Sequence, residues 1–304
     1  MYHYTIIQWL FFFYFYCFFG WVFESTFVSV KSRKFVNRGF MRGPFLPIYG
    51  SGAIMMLVVS MPFQDNILLT YFAGCIGATT LELVTGMTME ALFKVRYWDY
   101  SNQKFNYKGH ICLSSTIAWG FLTILMTEFV HKGVEKIVFA IPSLLLSILT
   151  IIITVCIVSD FTLSFKAALD LRDVLVGLEK AKDEMERIQR RLDVLIAVAN
   201  DEIETLKQER GLRVDELMES VEAKFDAVKE RIRINPFEFV DDVREEISEL
   251  RSKYLVEKEH RLQFKGLKDF YQRSLIKGNP TMRSKRFEEA LEELKKAVEE
   301  YKKR

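Results

Sequence analysis

The sequence predicts an all-α protein in two parts: a polytopic bundle of five membrane-spanning helices, then a cytoplasmic helical domain. Residues 1–163 contain long apolar runs with few charges, whereas residues 164–304 are rich in Glu, Lys, Arg and Leu at helical spacing. Roughly 20 apolar residues cross a bilayer core, and the second composition is typical of coiled coils. The net charge of +2 averages two different halves. Neither half has a polybasic tail, so no nucleic-acid partner is predicted.

Five apolar segments are the predicted spans, at about 5–30, 44–63, 67–93, 111–130 and 137–162. The connections 31–38 and 94–110 are basic. The connection 64–66 has no basic residue, and the connection 131–136 has charges of both signs. Because basic loops tend to stay in the cytoplasm, the N-terminus is expected outside and the C-terminal half inside. The first apolar run is too long for a signal peptide and has no basic segment before it. We therefore expect a multi-pass protein of the cell membrane, surrounded by lipid.

The membrane half contains a candidate parallel repeat of a two-helix unit. The run Glu24–Phe27 resembles Glu90–Phe93, and a basic loop follows each run. At a constant offset of 70, five later positions also match: Phe35 with Phe105, Arg38 with Lys108, Gly39 with Gly109, Tyr49 with Trp119 and Gly50 with Gly120. Repeats related by an axis along the membrane normal produce such a pattern. The alternative is that two hairpins entering from the same interface have converged on similar residues.

The second half begins with a seven-residue apolar repeat that is typical of a coiled coil. Its first positions are Leu171, Val174, Leu178, Ala181, Met185, Ile188, Leu192, Leu195 and Ala199. A break at Asn235-Pro236 precedes a second helix at about 237–276, and a last helix follows at about 284–302. The second helix either folds back on the first or pairs in parallel with another chain. The second arrangement predicts a homo-oligomer formed through residues 171–232.

Charged side chains within the apolar half are the candidate functional residues. Glu82 lies well inside the third span, where a carboxylate facing lipid costs roughly 2.5–3.5 kcal/mol. Glu24 precedes a basic stretch broken by Gly and Pro, which is tolerated at membrane depth only inside protein or beside water. We therefore expect a polar cavity lined by substrate- or ion-binding residues: Glu24, Arg38, Arg42, Glu82, Glu90 and Asp99. The alternative is that these charges form buried ion pairs that only fix helix packing. The candidate partners are Arg38 and Arg42 for Glu24, and Arg96 or Lys108 for Glu90.

The second basic loop holds a compact cluster of Trp98, Asp99 and Tyr100, with His110 close behind it. This cluster is a candidate gate over the cavity; the alternative is an interfacial aromatic anchor in which Asp99 caps a turn. A metal site or an intramembrane lipid-modifying enzyme would use His110 with Glu90 and Asp99. No metal-ligand spacing is present, so no metal and no cofactor are assigned. The phosphate-loop, GxSxG and HExxH motifs are missing from the sequence, so an enzyme is not predicted.

Several motifs resemble a family of bacterial membrane proteins labelled as ABC-transporter type IV permeases. They are Gly20-Trp21 through Glu24, the run 35–40, Gly43-Pro44, Pro47–Gly50, Leu81-Glu82, Thr85-Gly86, Trp98–Ser101 and Trp119-Gly120. The resemblance covers about residues 10–160, and Gly278-Asn279-Pro280 with Ser284–Phe287 resembles the tail of family members. It implies a multi-pass protein of the cytoplasmic membrane that works with a separate ATPase.

Two functions follow from these observations. The first is a permease component that moves a polar or ionic solute, or a lipid headgroup, through the charged cavity. The second is a membrane-anchored scaffold or sensor, in which the charges only fix packing and the cytoplasmic helices bind a partner.

Overall fold

The computed structural model describes residues 3–198, 219–226, 241–264 and 270–300. These ranges are mainly helical, as predicted: α1 Ile6–Ser32, α2 Pro47–Ser60, α3 Ile67–Phe93, α4 Leu113–Leu125, α5 His131–Ala140, α6 Ser143–Val198, α7 Asp241–Phe264, α8 Phe270–Gly278 and α9 Glu288–Glu300. Residues 219–226 are also helical. The loop between α3 and α4 holds two short antiparallel strands, β1 Asn106–Tyr107 and β2 Ile111–Cys112.

The chain divides into two compact units. The first, here called the membrane unit, comprises Met1–Arg172 and Asp269–Arg286; the second, called the arm, comprises Asp173–Lys268 and Phe287–Arg304. The segment Asp269–Arg286 therefore belongs with the membrane helices, although the sequence pattern places it in the C-terminal half. This segment contributes directly to the loops described below.

Among the described residues, four helical segments are long and apolar enough to cross a membrane: Ile6–Ser32, Ile67–Phe93, Leu113–Ala140 and Ser143–Val194. The predicted second span is a shorter apolar helix, Pro47–Phe63, which consists of α2 and a 3-10 turn over Met61–Phe63. Large apolar side chains on these helices face outward, among them Phe23, Ile76 and Phe121. A hydrophobic exterior on helices of this length is typical of a protein that lies in lipid.

The predicted connection at 131–136 is helical instead. A π-helical turn, Met126–Val130, joins α4 to α5 without a break in the helix. Mixed charges do not end a helix, and Lys132 Nζ lies 2.7 Å from Glu128 Oε2, one turn earlier. The helix ends where Ile141 becomes extended, immediately before Pro142. Proline disfavours helical conformation in the preceding residue, so the boundary falls there.

The membrane helices form two hairpins, α1 with α2 and α3 with α4, and α2 also packs on α3. Helices α1 and α3 each have 27 residues, and each ends at a basic residue in the left-handed conformation, Arg33 and Lys94. Their helix starts are capped by Thr5 and Asn66, whose side chains accept backbone N–H hydrogen bonds. The two hairpins therefore share these features of length and capping, and the parallel repeat stays a prediction.

In the arm, α6, residues 219–226 and α7 share one apolar core. It contains Met185, Ile188, Leu192, Val221, Phe225, Ile247 and Tyr254. Around it, Arg191 pairs with Glu246, Lys224 with Asp193 and Lys258 with Glu222. The described stripe positions Met185, Ile188 and Leu192 of α6 therefore pack against residues 219–226 and α7 of the same chain. The side chain of Leu195 lies outside the described residues. Ala199, the break at Asn235-Pro236 and residues 301–302 of the last predicted helix lie outside the described residues. The homo-oligomer stays a prediction.

Candidate functional site

Glu82 lies in the sixteenth position of α3, and only 6% of the residue is exposed. Its Oε1 accepts a hydrogen bond from the Tyr100 hydroxyl at 2.9 Å. Its Oε2 accepts hydrogen bonds from Trp119 Nε1 at 2.9 Å and from Ser115 Oγ at 3.3 Å. The described residues include no ion-pair partner for this carboxylate. We call Glu82 with these three donors the Glu82 clamp.

The local structure explains how the donors reach Glu82. Ser115 and Trp119 are one turn apart at the start of α4, so both face α3. The helix start is held by a capping box, in which Cys112 and Ser115 bond each other's backbone N–H. Tyr100 belongs to the loop that leads back from α3, and its backbone N–H bonds the carbonyl of Gly109 at 2.9 Å. The Glu82 clamp is thus formed by the middle of α3, the start of α4 and the loop between these two helices.

The phenol of Tyr100 is held against the Glu82 carboxylate. Burial raises the pKa of Tyr100 most, and the Glu82 carboxylate and its hydrogen bond raise it further. Tyr100 therefore stays protonated at neutral pH and donates its hydroxyl proton to Glu82.

Glu24 has different partners from Glu82. Its Oε2 accepts a hydrogen bond from the Tyr49 hydroxyl at 2.8 Å, and its Oε1 lies 3.4 Å from Arg38 Nε. The Arg38 backbone N–H bonds the hydroxyl of Ser25, one residue after Glu24. Glu24 therefore forms an ion pair with a cationic side chain of the same protein, and 26% of the Glu24 side chain is exposed.

The next cluster contains Glu90, Arg96 and His110. Arg96 Nε lies 2.8 Å from Glu90 Oε1, and His110 Nε2 lies 3.1 Å from Glu90 Oε2. Burial lowers the pKa of His110, and the Arg96 guanidinium lowers it further against the opposing carboxylates. His110 is therefore neutral at pH 7 and acts as a hydrogen-bond partner. Within the described ranges, no group of three or more His, Cys, Asp or Glu residues is placed to hold a metal ion.

Asp99 organises the loop that carries Tyr100. Its Oδ1 accepts bonds from the backbone N–H and the hydroxyl of Ser101, at 3.0 and 2.6 Å, and lies 3.6 Å from Arg96. Burial opposes its charge, but Ser101, Arg96 and Arg283 outweigh burial and lower the pKa of Asp99. Gly109 has a φ of +79°, and a Cβ there would lie 2.5 Å from Asp99 Oδ1. A glycine is required at this position, because of the positive φ and because a Cβ would collide with Asp99.

Trp98 donates its indole N–H to the His110 carbonyl at 3.0 Å, which closes the same loop.

Residues 270–286, here called the strap, pack against both basic loops. Arg38 donates to Asn279 Oδ1 at 2.6 Å, and Asn279 Nδ2 donates to the Gly39 carbonyl at 2.8 Å. Arg96 and Arg283 exchange two backbone hydrogen bonds, at 2.7 and 3.0 Å. The strap therefore contacts the same arginines that pair with Glu24 and Glu90.

The structure corrects one predicted pairing. Arg42, which was expected to face Glu24 together with Arg38, points to the strap and lies 3.9 Å above the ring of Phe270. Of the two predicted partners of Glu90, Arg96 forms the ion pair, while Lys108 contributes only its backbone carbonyl, to Arg96. Arg42 is therefore separate from the carboxylate clusters and takes part in holding the strap.

The structure also changes the register of the repeat. Gly50 packs against Phe13 and Cys17, and Gly120 packs against Tyr71 and Cys75. Tyr49, the residue before Gly50, donates a hydrogen bond to Glu24, and Trp119, the residue before Gly120, donates one to Glu82. Each of these two acids lies seven residues after the cysteine that its glycine contacts. Glu24 thus corresponds to Glu82, and not to Glu90 as the sequence match suggested. Matching positions in α1 and α3 are 58 residues apart in the sequence, whereas matching positions in α2 and α4 are 70 apart. The second hairpin therefore has twelve more residues than the first between these two sets of positions.

Sequence reasoning missed three groups that the structure assigns to these clusters. Trp119 and Tyr49 had been noticed only as matching positions, and Asn279 only as part of a tail. A second buried polar group lies near the start of α1, where the Tyr4 and Tyr16 hydroxyls bond the two ring nitrogens of His131 at 3.0 and 2.8 Å. The buried histidine at the edge of an apolar run was the available signal for this last group.

The long apolar helices, with buried charges between them, define the class as a membrane protein. The chain belongs to the family described as "Putative ABC-transporter type IV", which matches residues 11–165, about half of its length. The match includes both hairpins, the Glu82 clamp and the Glu24 pair. No curated protein and no solved structure matches the chain.

Proposed function

We propose that this protein is the membrane subunit of a transporter for a polar or ionic solute, with Glu82 as the solute-binding carboxylate. One observation carries the proposal: Glu82 is buried in an apolar helix and is stabilised by three neutral donors. Hydroxyl groups can rotate and exchange partners, whereas a fixed guanidinium would keep the carboxylate occupied. Ionisable groups at this depth are costly and mark ion or solute pathways.

The neighbouring groups have distinct roles in this proposal. Tyr100 is the gate residue, because it donates to Glu82 from a loop and leaves the carboxylate when the loop moves. Asp99, Trp98 and His110 hold that loop, and Glu90 anchors it through Arg96. Glu24 and Arg38 continue the polar path beyond Tyr49.

We infer five spans with the N-terminus outside. The two hairpins are built alike, so the shorter helix Pro47–Phe63 crosses the bilayer as α4 does; its 17 residues are at the lower end of the spanning range. The basic loops and the strap then face the cytoplasm, and the arm follows on that side. A green fluorescent protein fused after residue 304 should be fluorescent in cells, since that protein folds in the cytoplasm. Transport energy would come from a separate ATPase that contacts this face, because the sequence has no phosphate-loop motif.

The test does not need a known substrate. Cells that lack the gene are complemented with the wild type, Glu82→Gln or Glu128→Gln, and their ions and small polar solutes are measured by elemental analysis and mass spectrometry. We expect the deletion to change at least one solute and Glu82→Gln to reproduce that change. Glu128→Gln is the matched control, because Glu128 is outside the clusters and pairs with Lys132. Full complementation by Glu82→Gln at normal expression would remove the proposed role of Glu82.

A second function, a membrane-anchored scaffold or sensor, is favoured by the pairing of the other charges. Glu24, Glu90 and Asp99 all have cationic partners, as packing ion pairs would. Truncating the chain after residue 165 would be an unsuitable test, because it also removes the strap. A better variant replaces residues 176–265 with a flexible Gly/Ser linker and retains residues 266–304. Normal solute contents in that variant would favour transport by the membrane unit, and their loss would favour the scaffold function.

A further inference from the structure

The two copies of the hairpin allow an internal comparison of their carboxylates. In each copy a glycine of the returning helix packs on a cysteine, and the preceding aromatic residue donates to the acid. The backbone turn is shared as well, because Gly39 and Gly109 both have positive φ at the matched position. Glu24 and Glu82 therefore occupy equivalent places in equivalent surroundings.

The copies differ in what balances the acid. In the first copy the residue before the positive-φ glycine is Arg38, and its guanidinium lies beside Glu24. In the second copy the matched residue is Lys108, which is exposed and has its amine 5.6 Å from the centre of the Tyr107 ring. Glu82 instead receives hydrogen bonds from two aromatic side chains and one serine. Among the described residues, the more buried of the two acids is thus the one whose hydrogen-bond partners are all neutral.

We propose that the Glu82 clamp binds a monovalent organic cation, either a protonated amine or a guanidinium group. The proposal rests on the proposed function and narrows its solute. A single carboxylate balances a single positive charge, and three bonds leave about one of its four acceptor positions unused. The first copy shows that this architecture accommodates a guanidinium.

The proposal is tested by thermal unfolding of the purified full chain in detergent. The probes are methylguanidinium, ethylammonium, sodium and potassium chlorides at equal ionic strength, with sodium acetate and sodium phosphate as anion probes. At ten times its dissociation constant, an organic cation should raise Tm by roughly 3–6 °C. Glu82→Gln should abolish this shift, and Glu24→Gln should retain it because Glu24 already has Arg38. Trp119→Phe, which keeps the carboxylate, should weaken the shift without abolishing it.

Arg38→Ala provides a positive control for the chemistry, because it leaves Glu24 without its guanidinium. Methylguanidinium should restore part of the Tm that this variant loses. If methylguanidinium rescues Arg38→Ala but neither methylguanidinium nor ethylammonium stabilises the wild type, the Glu82 clamp is not an organic-cation site and the proposal fails. Equal stabilisation by sodium or potassium, or a shift that survives in Glu82→Gln, would also overturn it.

The source of the cation is decided in nanodiscs of phosphatidylglycerol with and without phosphatidylethanolamine. Stabilisation by the amine lipid that depends on Glu82 would support the proposal with a lipid headgroup as the ligand. Stabilisation by the soluble probes alone would support it with a free solute. These binding results are independent of the solute measurement in cells. If the organic cation binds but the cellular solutes do not change, the transport function is refuted and the cation-binding site is still supported.

Discussion

Asn279 is the residue through which the strap is predicted to hold the first basic loop. It is 1% exposed, and its side chain makes three hydrogen bonds. Nδ2 donates to the carbonyls of Gly39 at 2.8 Å and Leu275 at 2.9 Å, while Oδ1 accepts from Arg38 at 2.6 Å. The substitution Asn279→Ala removes all three bonds and leaves two buried carbonyls without this donor.

The size of the effect follows from these contacts. Each neutral hydrogen bond contributes about 0.5–1.5 kcal/mol, and one to a charged group about 1.5–3 kcal/mol. Allowing for relaxation and non-additivity, we expect Asn279→Ala to cost about 3 kcal/mol, which lowers Tm by roughly 5–10 °C. The ion pair between Arg38 and Glu24 remains, so the loss should be local to the strap and the loops.

Hydrogen exchange measured by mass spectrometry, together with Tm of the full chain, tests this prediction. Exchange should accelerate in residues 33–46 and in the strap, and the backbone pairing of Arg96 with Arg283 should open more often. Lys277→Ala is the control, because Lys277 is exposed and lies only two residues away. If Asn279→Ala and Lys277→Ala give the same Tm and the same exchange in residues 33–46, the strap does not hold the loop.

Three further predictions concern the hairpins, the loop and the arm. Gly20→Ala places a Cβ 2.3 Å from Tyr49 Cβ and should cost about 1–3 kcal/mol, whereas Gly52→Ala, with nothing within 4 Å, should be neutral or stabilising by up to about 1 kcal/mol; equal Tm values would contradict the packing. The lowered pKa of Asp99 means that its charge stabilises the fold above its unfolded pKa and loses that effect as pH falls through the folded value. The Tm difference between the wild type and Asp99→Asn should therefore shrink between pH 6 and pH 3, and a constant difference would refute the assignment. Leu192→Ala, at a fully buried position, should cost about 2–5 kcal/mol and accelerate exchange in the arm helices; unchanged exchange would mean that this core does not hold the arm.

The long apolar helices were predictable because their signal is local. The predicted third span, 67–93, agrees with Ile67–Phe93, since a polar Gln-Asp-Asn connection and a basic loop flank it. The mixed charges at 131–136 predict a loop after residue 130; this prediction is wrong, because the helix continues to Ala140 and ends before Pro142. The apolar stripe of α6 was recognised as well, but its period does not reveal whether the partner helix belongs to the same chain.

The candidate site was only partly predictable. Glu82 and Glu24 stand out because acids are rare in apolar runs, and the repeat was visible in the returning helices. The match of Glu24 with Glu82 could not be read from the sequence, because the second hairpin has twelve additional residues and the two helices of each hairpin therefore match at different offsets. Only the contacts of Gly50 and Gly120 with their cysteines identify the register.

Composition and periodicity alone determined that this protein has apolar helices followed by a charged helical arm, because burial in lipid and pairing of helices both act on residues that are near in sequence. The tertiary structure decided which charges are neutralised and which are not. Arg38 reaches Glu24 across a turn, while the donors to Glu82 within the described part of the chain are neutral groups of α4 and a loop. It also decided that the strap, more than 200 residues after Arg38, binds the first loop. Contacts of that kind depend on how the chain returns on itself, and no local pattern encodes that return.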